Sequence, residues 1–265
     1  MASSNDSISK TIIVAVALCL VCSIFVAGAA VGLKPIQQEN RDLDRKRNIL
    51  AAAQMLQPGQ NIDEVFANVE KRLVNVAEGR FATEEELAQA GVTVAAYSQQ
   101  AAAKDPALSV SLSGDQDPAS IKRRANFATV YVVKDENADA RIILPVHGYG
   151  LWSTMYGFMA LEGDFSTVVG FGFYQQAETP GLGGEVDNPA WKALWEGKEV
   201  YNEQGDAVIA LAKGAVDPND PQASHKVDGL SGATLTSRGV TNLVQYWLGE
   251  DGFGPFLAKL RSEGV

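Results

Sequence analysis

An uncharged apolar segment near the amino terminus constrains the fold of this chain more than any other feature. The segment contains 23 residues from Thr11 to Leu33, and Lys10 and Lys34 are the charged residues that flank it. At about 1.5 Å of rise per residue, a helix of this length reaches roughly 34 Å, which is enough to cross a bilayer hydrocarbon core of about 30 Å. We therefore predict a transmembrane anchor.

A secretory signal peptide is the competing interpretation of this segment, with Ala27-Gly28-Ala29 as its cleavage site. The apolar run is long for a signal peptide, and Lys10 is the single basic residue before it. An uncleaved anchor is therefore favoured. Cys19 and Cys22 are not preceded by the small residue that lipoprotein processing needs, and we interpret both as small apolar residues.

The composition excludes several classes of protein. The net charge is −10 and the pI is about 4.7, so the chain repels phosphate backbones and nucleic acid is not an expected partner. Two Cys and two His are too few for a zinc or iron–sulfur site built by this chain alone. A length of 265 residues predicts one or two domains with a core of their own, which excludes a disulfide scaffold.

The first part of the chain is predicted to be helical. A helix from Asn40 to Leu56 continues from the anchor until Pro58-Gly59 ends it. Asn61 then has the character of an N-cap for a helix in which apolar residues from Phe66 to Val76 follow at helical spacing. Thr83 begins another short helix, and the polar residues 98–120 are predicted to be a loop.

The second part of the chain has the pattern of strands followed by helices. Ser237–Leu248 has an apolar face of helical period, and the residues 252–255 separate it from a last short helix. The fold class is therefore α+β, with a twisted, mainly antiparallel sheet and flanking helices. We predict a tail at 1–10, the anchor at 11–33, a linker helix at 34–58 and a single domain at 59–265. Four strands are predicted, at 127–133, 141–146, 150–161 and 167–176.

Common catalytic motifs are absent or incomplete. Residues 148–150 and 170–172 begin like a dinucleotide fingerprint, but neither has its third glycine and neither clearly opens a helix, so the chain is not expected to bind NADH itself. His225, Asp228 and Ser231 are close in sequence, as ordinary loop residues often are, and a hydrolase triad is not favoured.

One segment has the composition of a phosphate site. Residues 224–237 are rich in Gly and hydroxyl side chains and lead directly into the amphipathic helix. Helix N-termini bind phosphate through free N–H groups and the positive end of the helix dipole. The alternative is purely structural: Thr236 or Ser237 caps the helix, Thr236 being the better candidate, and Gly232 makes a turn.

This segment also carries a resemblance to a known family. Residues 228–236, DGLSGATLT, match the covalent flavinylation motif of FMN-binding domains. With GYGLWSTMYGF at 148–158, AETPGLGGE at 177–185, WLGEDGFGPFL at 247–257 and the anchor, the whole sequence resembles the C subunit of sodium-translocating NADH:quinone reductases. Ala177 departs from the pattern, which has His there.

The resemblance implies a function. Thr234 is expected to carry FMN through a phosphoester made by a flavin transferase, and the chain to relay electrons from NADH towards quinone alongside other subunits of a membrane complex. The flavin subunit of an Rnf-type ferredoxin:NAD reductase shares the SGAT motif and is one alternative. A flavin-free anchored assembly protein is another.

The resemblance also implies which residues surround the cofactor. Lys226 is expected to offset phosphate charge, and Asp228 to orient the hydroxyl or serve the transferase. Trp191, Trp195 and Trp247 are interpreted as core or subunit contacts. The cofactor-binding residues besides Thr234 are Leu151, Trp152, Ser153, Thr154, Glu178, Thr179, Gly181, Leu182, Gly183, Lys226, Asp228, Ser231, Gly232, Ala233, Leu235 and Thr236.

The topology has two conflicting indications. Five basic residues between Lys34 and Arg47 follow the segment, which by local charge favours a cytoplasmic body. The resemblance implies the opposite: an anchor in the bacterial inner membrane, the amino terminus inside, and the carboxyl-terminal domain in the periplasm. Long domains translocate largely regardless of nearby charge, so we expect the periplasmic arrangement.

Overall fold

A long amino-terminal helix begins the structure, a computed structural model that describes residues 7–133 and 140–264. Helix α1 spans Ile8–Ala52, and its most apolar 18-residue window has a mean hydropathy of 2.9. By length and composition it can cross a membrane. It ends at Ala52, earlier than the predicted Leu56. Residues 1–6 of the predicted tail lie outside the described residues.

The chain forms two compact units, one up to Arg45 and one from Lys46 onward. The second unit contains short helices, a large sheet and two helices at its carboxyl end. Its elements are α2 Ile62–Phe66, β1 Val69–Asn75, β2 Arg80–Phe81, α3 Glu84–Gln89, α4 Gln99–Ala102, β3 Ser109–Ser111, β4 Arg123–Ala125, β5 Phe127–Val133, β6 Arg141–Tyr149, β7 Thr154–Leu161, β8 Val168–Gln175, α5 Pro189–Ala193, β9 Ala210–Leu211, β10 Lys226–Val227, α6 Thr234–Leu248 and α7 Gly254–Glu263.

The main sheet has six strands in the order β2-β1-β5-β6-β7-β8, and every neighbouring pair is antiparallel. Tyr131 lies opposite Ile143, and Leu144 opposite Met159. Two small sheets accompany it, with β3 antiparallel to β4 and β9 parallel to β10. The predicted α+β class with a mainly antiparallel sheet is confirmed.

Apolar side chains cover both faces of this sheet. On β6, Ile142 and Leu144 belong to the core that includes α6 and α7. Ile143, between them, belongs to a second core with Ile49 and Leu50. Successive side chains of a strand point to opposite faces, so an uninterrupted apolar run is what a doubly covered strand requires.

Helix α6 packs closely on β6. A Cβ added at Gly148 would lie 2.5 Å from Leu243 Cβ, so only glycine permits this approach. Trp247 Nε1 donates a 2.7 Å hydrogen bond to the His147 carbonyl. These contacts hold α6 against the sheet.

Two predictions in the first half were wrong. The apolar residues after Phe66 form strand β1, not a helix. A spacing of four residues, as between Val69 and Leu73, also falls on one face of a strand, because four is a multiple of the strand period of two. Residues 98–120 are not all loop, since they contain α4 and β3.

Other local predictions are confirmed. Asn61 caps α2 by accepting the Asp63 N–H, and Thr83 forms a capping box with Glu86. Each of the four predicted strands has its counterpart in β5, β6, β7 or β8. The helix predicted at Ser237–Leu248 is α6, but it begins three residues earlier than predicted, at Thr234.

The stability of the domain should depend on pH through His147. Its ring packs on Tyr156 and Trp247, and burial lowers the pKa of His147 to about 4, with Asp117 opposing the shift. Between the ordinary pKa near 6.5 and pH 4, the unfolded chain binds the proton and the folded chain does not, so stability falls as pH falls. The free energy of unfolding of the parent should fall between pH 7 and pH 5, and that of a His147→Phe variant should fall by roughly 2 kcal/mol less. Chemical unfolding at both values measures this, and equal losses would contradict it.

Candidate functional site

The site is built around the first turn of α6. Ala233 is the N-cap residue and contributes no side-chain cap, and Thr234 is the first helical residue. Gly232 precedes them with φ of +70°, a conformation that glycine adopts without strain. Ser231, Gly232, Thr234 and Leu235 are exposed. A hydroxyl is thus presented to solvent beside helix N–H groups that no side chain caps.

Thr236 and Ser237 do not cap the helix, which corrects the structural alternative considered from the sequence. Thr236 is 1% exposed, and its Oγ1 donates a 2.7 Å hydrogen bond to Glu178 Oε2. Ser237 Oγ accepts the Leu230 N–H at 3.0 Å. Because α6 begins earlier than predicted, these side chains lie inside the domain. Thr234 therefore has the accessible hydroxyl, and Thr236 has one already engaged.

Glu178 lies at the centre of the buried contacts. It is 5% exposed, and its Oε1 accepts the backbone N–H groups of three successive residues: Leu151 at 3.1 Å, Trp152 at 3.0 Å and Ser153 at 3.3 Å. Its other oxygen accepts the Thr236 hydroxyl. One carboxylate thus joins the loop between β6 and β7 to the first turn of α6.

Two glycines make room for these contacts. A Cβ at Gly150 would lie 2.6 Å from Glu178 Oε1, and a Cβ at Gly183 would lie 2.6 Å from Thr236 Oγ1. Both of these oxygens are held in place by hydrogen bonds, so neither could easily move away from an added Cβ. The last glycine of GYG, Gly150, and the last glycine of GLG, Gly183, therefore permit close approach around one carboxylate.

A groove opens beside Thr234 with a volume of about 290 Å³. Its walls are one face of α6 and the segments 211–214 and 229–230. Lys213 and Arg238 contribute the two cations of the lining, and neither forms an ion pair with a residue in the described part of the chain. No sequence motif marks Lys213, because only folding brings it to Thr234.

Lys226 and Asp228 have other partners. Lys226 Nζ donates to Asp220 Oδ2 at 2.6 Å, and this hydrogen bond lowers the pKa of Asp220. Asp228 Oδ1 accepts the Val216 N–H at 2.8 Å. Their suggested roles towards phosphate and hydroxyl remain predictions, and neither of these contacts reaches Thr234.

The segments around Thr234 expose several large apolar side chains. Trp152, one of the predicted cofactor-binding residues, is 65% exposed and does not belong to the core. Residues 151–153 form a bend before β7, which starts at Thr154 and not at residue 150. The exposed fractions of the others are 45% for Tyr149, 37% for Leu151, 43% for Leu182 and 53% for Leu235.

The turn at 178–183 is stabilised internally. The Leu182 N–H donates to the Thr179 carbonyl at 3.1 Å, so this N–H is not free for a ligand. Gly181 has φ of +75°, and the Leu182 side chain reaches to within 3.0 Å of a Cβ placed on Gly232. The turn therefore presents the Leu182 side chain to the Gly232 side of the site. Trp191, Trp195 and Trp247 are buried in the core, as predicted.

Comparison with known proteins identifies the family. Residues 150–249, which include every site residue described above except Tyr149, match the FMN-binding domain model. The C subunit of the Na⁺-translocating NADH-quinone reductase of Pseudomonas aeruginosa is 53% identical over 97% of this chain and 98% of its own length. The chain belongs to this C-subunit family. The corresponding protein of Vibrio campbellii is 50% identical over the full length of both chains.

The C-subunit family also includes proteins of known structure. The crystal structure of Shewanella oneidensis NqrC superposes with a TM-score of 0.74 and 34% identity, over 84% of this chain and all of that one. Membership of the family makes this protein one component of an oxidoreductase complex. It also favours a subunit of the Na⁺-translocating reductase over the flavin subunit of an Rnf-type complex.

Proposed function

We propose that Thr234 carries FMN through a phosphoester and that the chain relays electrons from NADH towards quinone within a Na⁺-translocating reductase. The observation that carries this proposal is the exposed Thr234 hydroxyl at the uncapped start of α6, between a cationic groove and exposed apolar side chains. The names of the relatives and the FMN-binding match support it.

The phosphate end of the cofactor fits the groove side of Thr234. The N–H groups of the first helical turn and the positive end of the helix dipole favour an anion there. Lys213 and Arg238 add positive charge in a body that is otherwise acidic. Lys213 and Arg238 would thus offset the phosphate charge, the role that the family resemblance suggested for Lys226.

The ring end of the cofactor fits the apolar side. Leu182 lies beside Gly232, and Leu235 follows Thr234 directly, so a flavin tethered at Thr234 has apolar surface within reach. Leu151 and Trp152 lie on the loop that Glu178 joins to the same helix. Exposed aromatic and apolar groups of this kind stabilise a planar ring by burial and stacking.

The bound FMN would supply the electron-transfer chemistry, and the protein would supply position and environment. Thr234 prevents loss of the cofactor, Lys213 and Arg238 offset its phosphate charge, and the apolar side chains exclude water from the ring. NADH oxidation and quinone reduction belong to other subunits, and a flavin transferase is the expected partner during maturation.

The direct test is the mass of the peptide around residues 227–238 after expression with a flavin transferase. The proposal requires the mass of FMN, less water, on Thr234, and a fluorescent band after denaturing electrophoresis. An unmodified peptide and a dark band would favour the flavin-free assembly protein.

Replacing both groove cations should slow loading. Each partly exposed charge interaction contributes roughly 0.5–1 kcal/mol, so a Lys213→Gln, Arg238→Gln chain is expected to load about tenfold more slowly. The matched control is Lys226→Gln, which removes a cation that pairs with Asp220. Initial rates of in-gel fluorescence with FAD and transferase measure the effect. Slowing in the control but not in the double variant would return the role to Lys226.

We further propose that the body lies in the periplasm of a bacterial inner membrane. The basis is the family resemblance, against the local excess of basic residues after the span. A carboxyl-terminal alkaline phosphatase fusion is expected to be active, and a fluorescent protein that matures only in the cytoplasm is expected to be dark. The reverse pattern would mean that the local charge rule decides the topology.

A further inference from the structure

The loop between β6 and β7 is held in a way that its own packing does not explain. Leu151 and Trp152 expose much of their side chains, so the loop contributes little to the core. Its backbone is nevertheless fixed by three successive N–H groups on one buried carboxylate. A buried carboxylate is costly unless it is fully hydrogen bonded. These hydrogen bonds therefore hold the exposed side chains of Leu151 and Trp152 in a fixed position.

Glu178 is itself held on both sides. Its backbone N–H donates to Gln176 Oε1 at 2.6 Å, and Gln176 Nε2 donates to Asp187 Oδ2 at 2.7 Å. The Ala177 N–H donates to Ser153 Oγ at 2.9 Å, which adds a second connection to the same loop. The carboxylate is therefore a fixed point and not a mobile surface group.

The other oxygen of Glu178 reaches the tether helix. Thr236, which donates to it at 2.7 Å, lies two residues beyond Thr234 on the same helical turn. The loop bearing Trp152 and the helix bearing Thr234 are thus joined through a single carboxylate, and hydrogen bonds to charged groups are the stronger ones.

We propose that Glu178 is a positioning residue that sets the location of the ring-contact loop relative to the Thr234 tether, and thereby the orientation and mobility of the attached flavin. The proposal rests on the proposed function of Thr234. It assigns Glu178 an action through Leu151, Trp152 and Thr236, where the sequence suggested direct cofactor contact. Precise placement of a cofactor requires such supporting contacts around the groups that touch it.

The test uses the full-length chain in detergent, loaded with FMN, and a Glu178→Gln variant. The amide carries no charge and has one acceptor oxygen in place of two, and losing charge-assisted hydrogen bonds is expected to raise the open population of the loop about tenfold. Flavin should remain on Thr234. Its fluorescence anisotropy, visible circular dichroism and iodide quenching should move towards those of the isolated flavopeptide. Values equal to the parent's would overturn the proposal.

Matched variants separate positioning from general damage. Glu185→Gln changes a carboxylate in the same segment that accepts from Asn188, and it should leave all three signals unchanged. Glu178→Asp keeps the charge and should restore part of the signal. Thr236→Val removes only the helix-side bond and should loosen the ring in part. If Glu178→Gln does not fold, Thr236→Val decides, and an unchanged signal there overturns the proposal.

Hydrogen exchange separates this inference from the proposed function. In a flavin-free Thr234→Ala chain, Glu178→Gln is expected to speed exchange of the amides of residues 151–153 about tenfold, because their hydrogen bonds to a charged acceptor are replaced by weaker ones to a neutral amide. This result does not depend on flavin. An unmodified parent chain contradicts the function of Thr234, whereas unchanged exchange contradicts the role of Glu178.

Discussion

Thr234→Ala is expected to abolish covalent FMN while leaving the fold intact. The side chain is exposed at the first position of α6, so its removal costs no buried packing, and alanine is a better helix former than threonine. In-gel fluorescence measures the flavin, and circular dichroism controls for folding. Thr234→Ser keeps a hydroxyl nucleophile and should be flavinylated in part.

Thr236 supplies the matched control for this prediction. A Thr236→Val chain should keep its flavin, because the Thr236 hydroxyl is buried and donates to Glu178. It should lose about 1–3 kcal/mol of stability, because a buried acceptor loses its donor. The loss of a helix cap, which the sequence suggested, is not the cause. A fluorescent Thr234→Ala band with flavin mapped to Thr236 would overturn the assignment.

Removal of residues 1–33 is expected to convert a membrane protein into a soluble, folded domain that still loads flavin. The deleted residues contain most of the exposed large apolar side chains among the described residues. The unit from Lys46 onward keeps both cores on the two faces of the sheet. Its acidic surface favours solubility.

The truncated chain should be exported behind a cleavable signal sequence, together with a flavin transferase. Fractionation should place it in the soluble fraction with a fluorescent band, whereas the full-length control should sediment with membranes. An insoluble or unfolded product under these conditions would show that the domain depends on its anchor segment.

Much of this protein is readable from local sequence. The uncharged run from Thr11 to Leu33 predicts its helix, because a membrane-spanning helix needs only length and apolarity. Strands β5–β8 follow from apolar runs with turn residues between them, and the buried face of α6 follows from its period. The flavinylation motif points to Thr234 without knowledge of its surroundings.

The surroundings of Thr234 depend on the tertiary structure. Glu178 and Thr236 are 58 residues apart in sequence, and Lys213 approaches Thr234 only because segment 211–214 packs beside α6. The pattern at Phe66–Val76 is ambiguous because a four-residue spacing fits both a helix and a strand, and only pairing with β5 decides between them. Local patterns encode periodicity and turn chemistry, which act over a few residues. Hydrogen bonds between distant segments arise only when the core sets the distance between those segments.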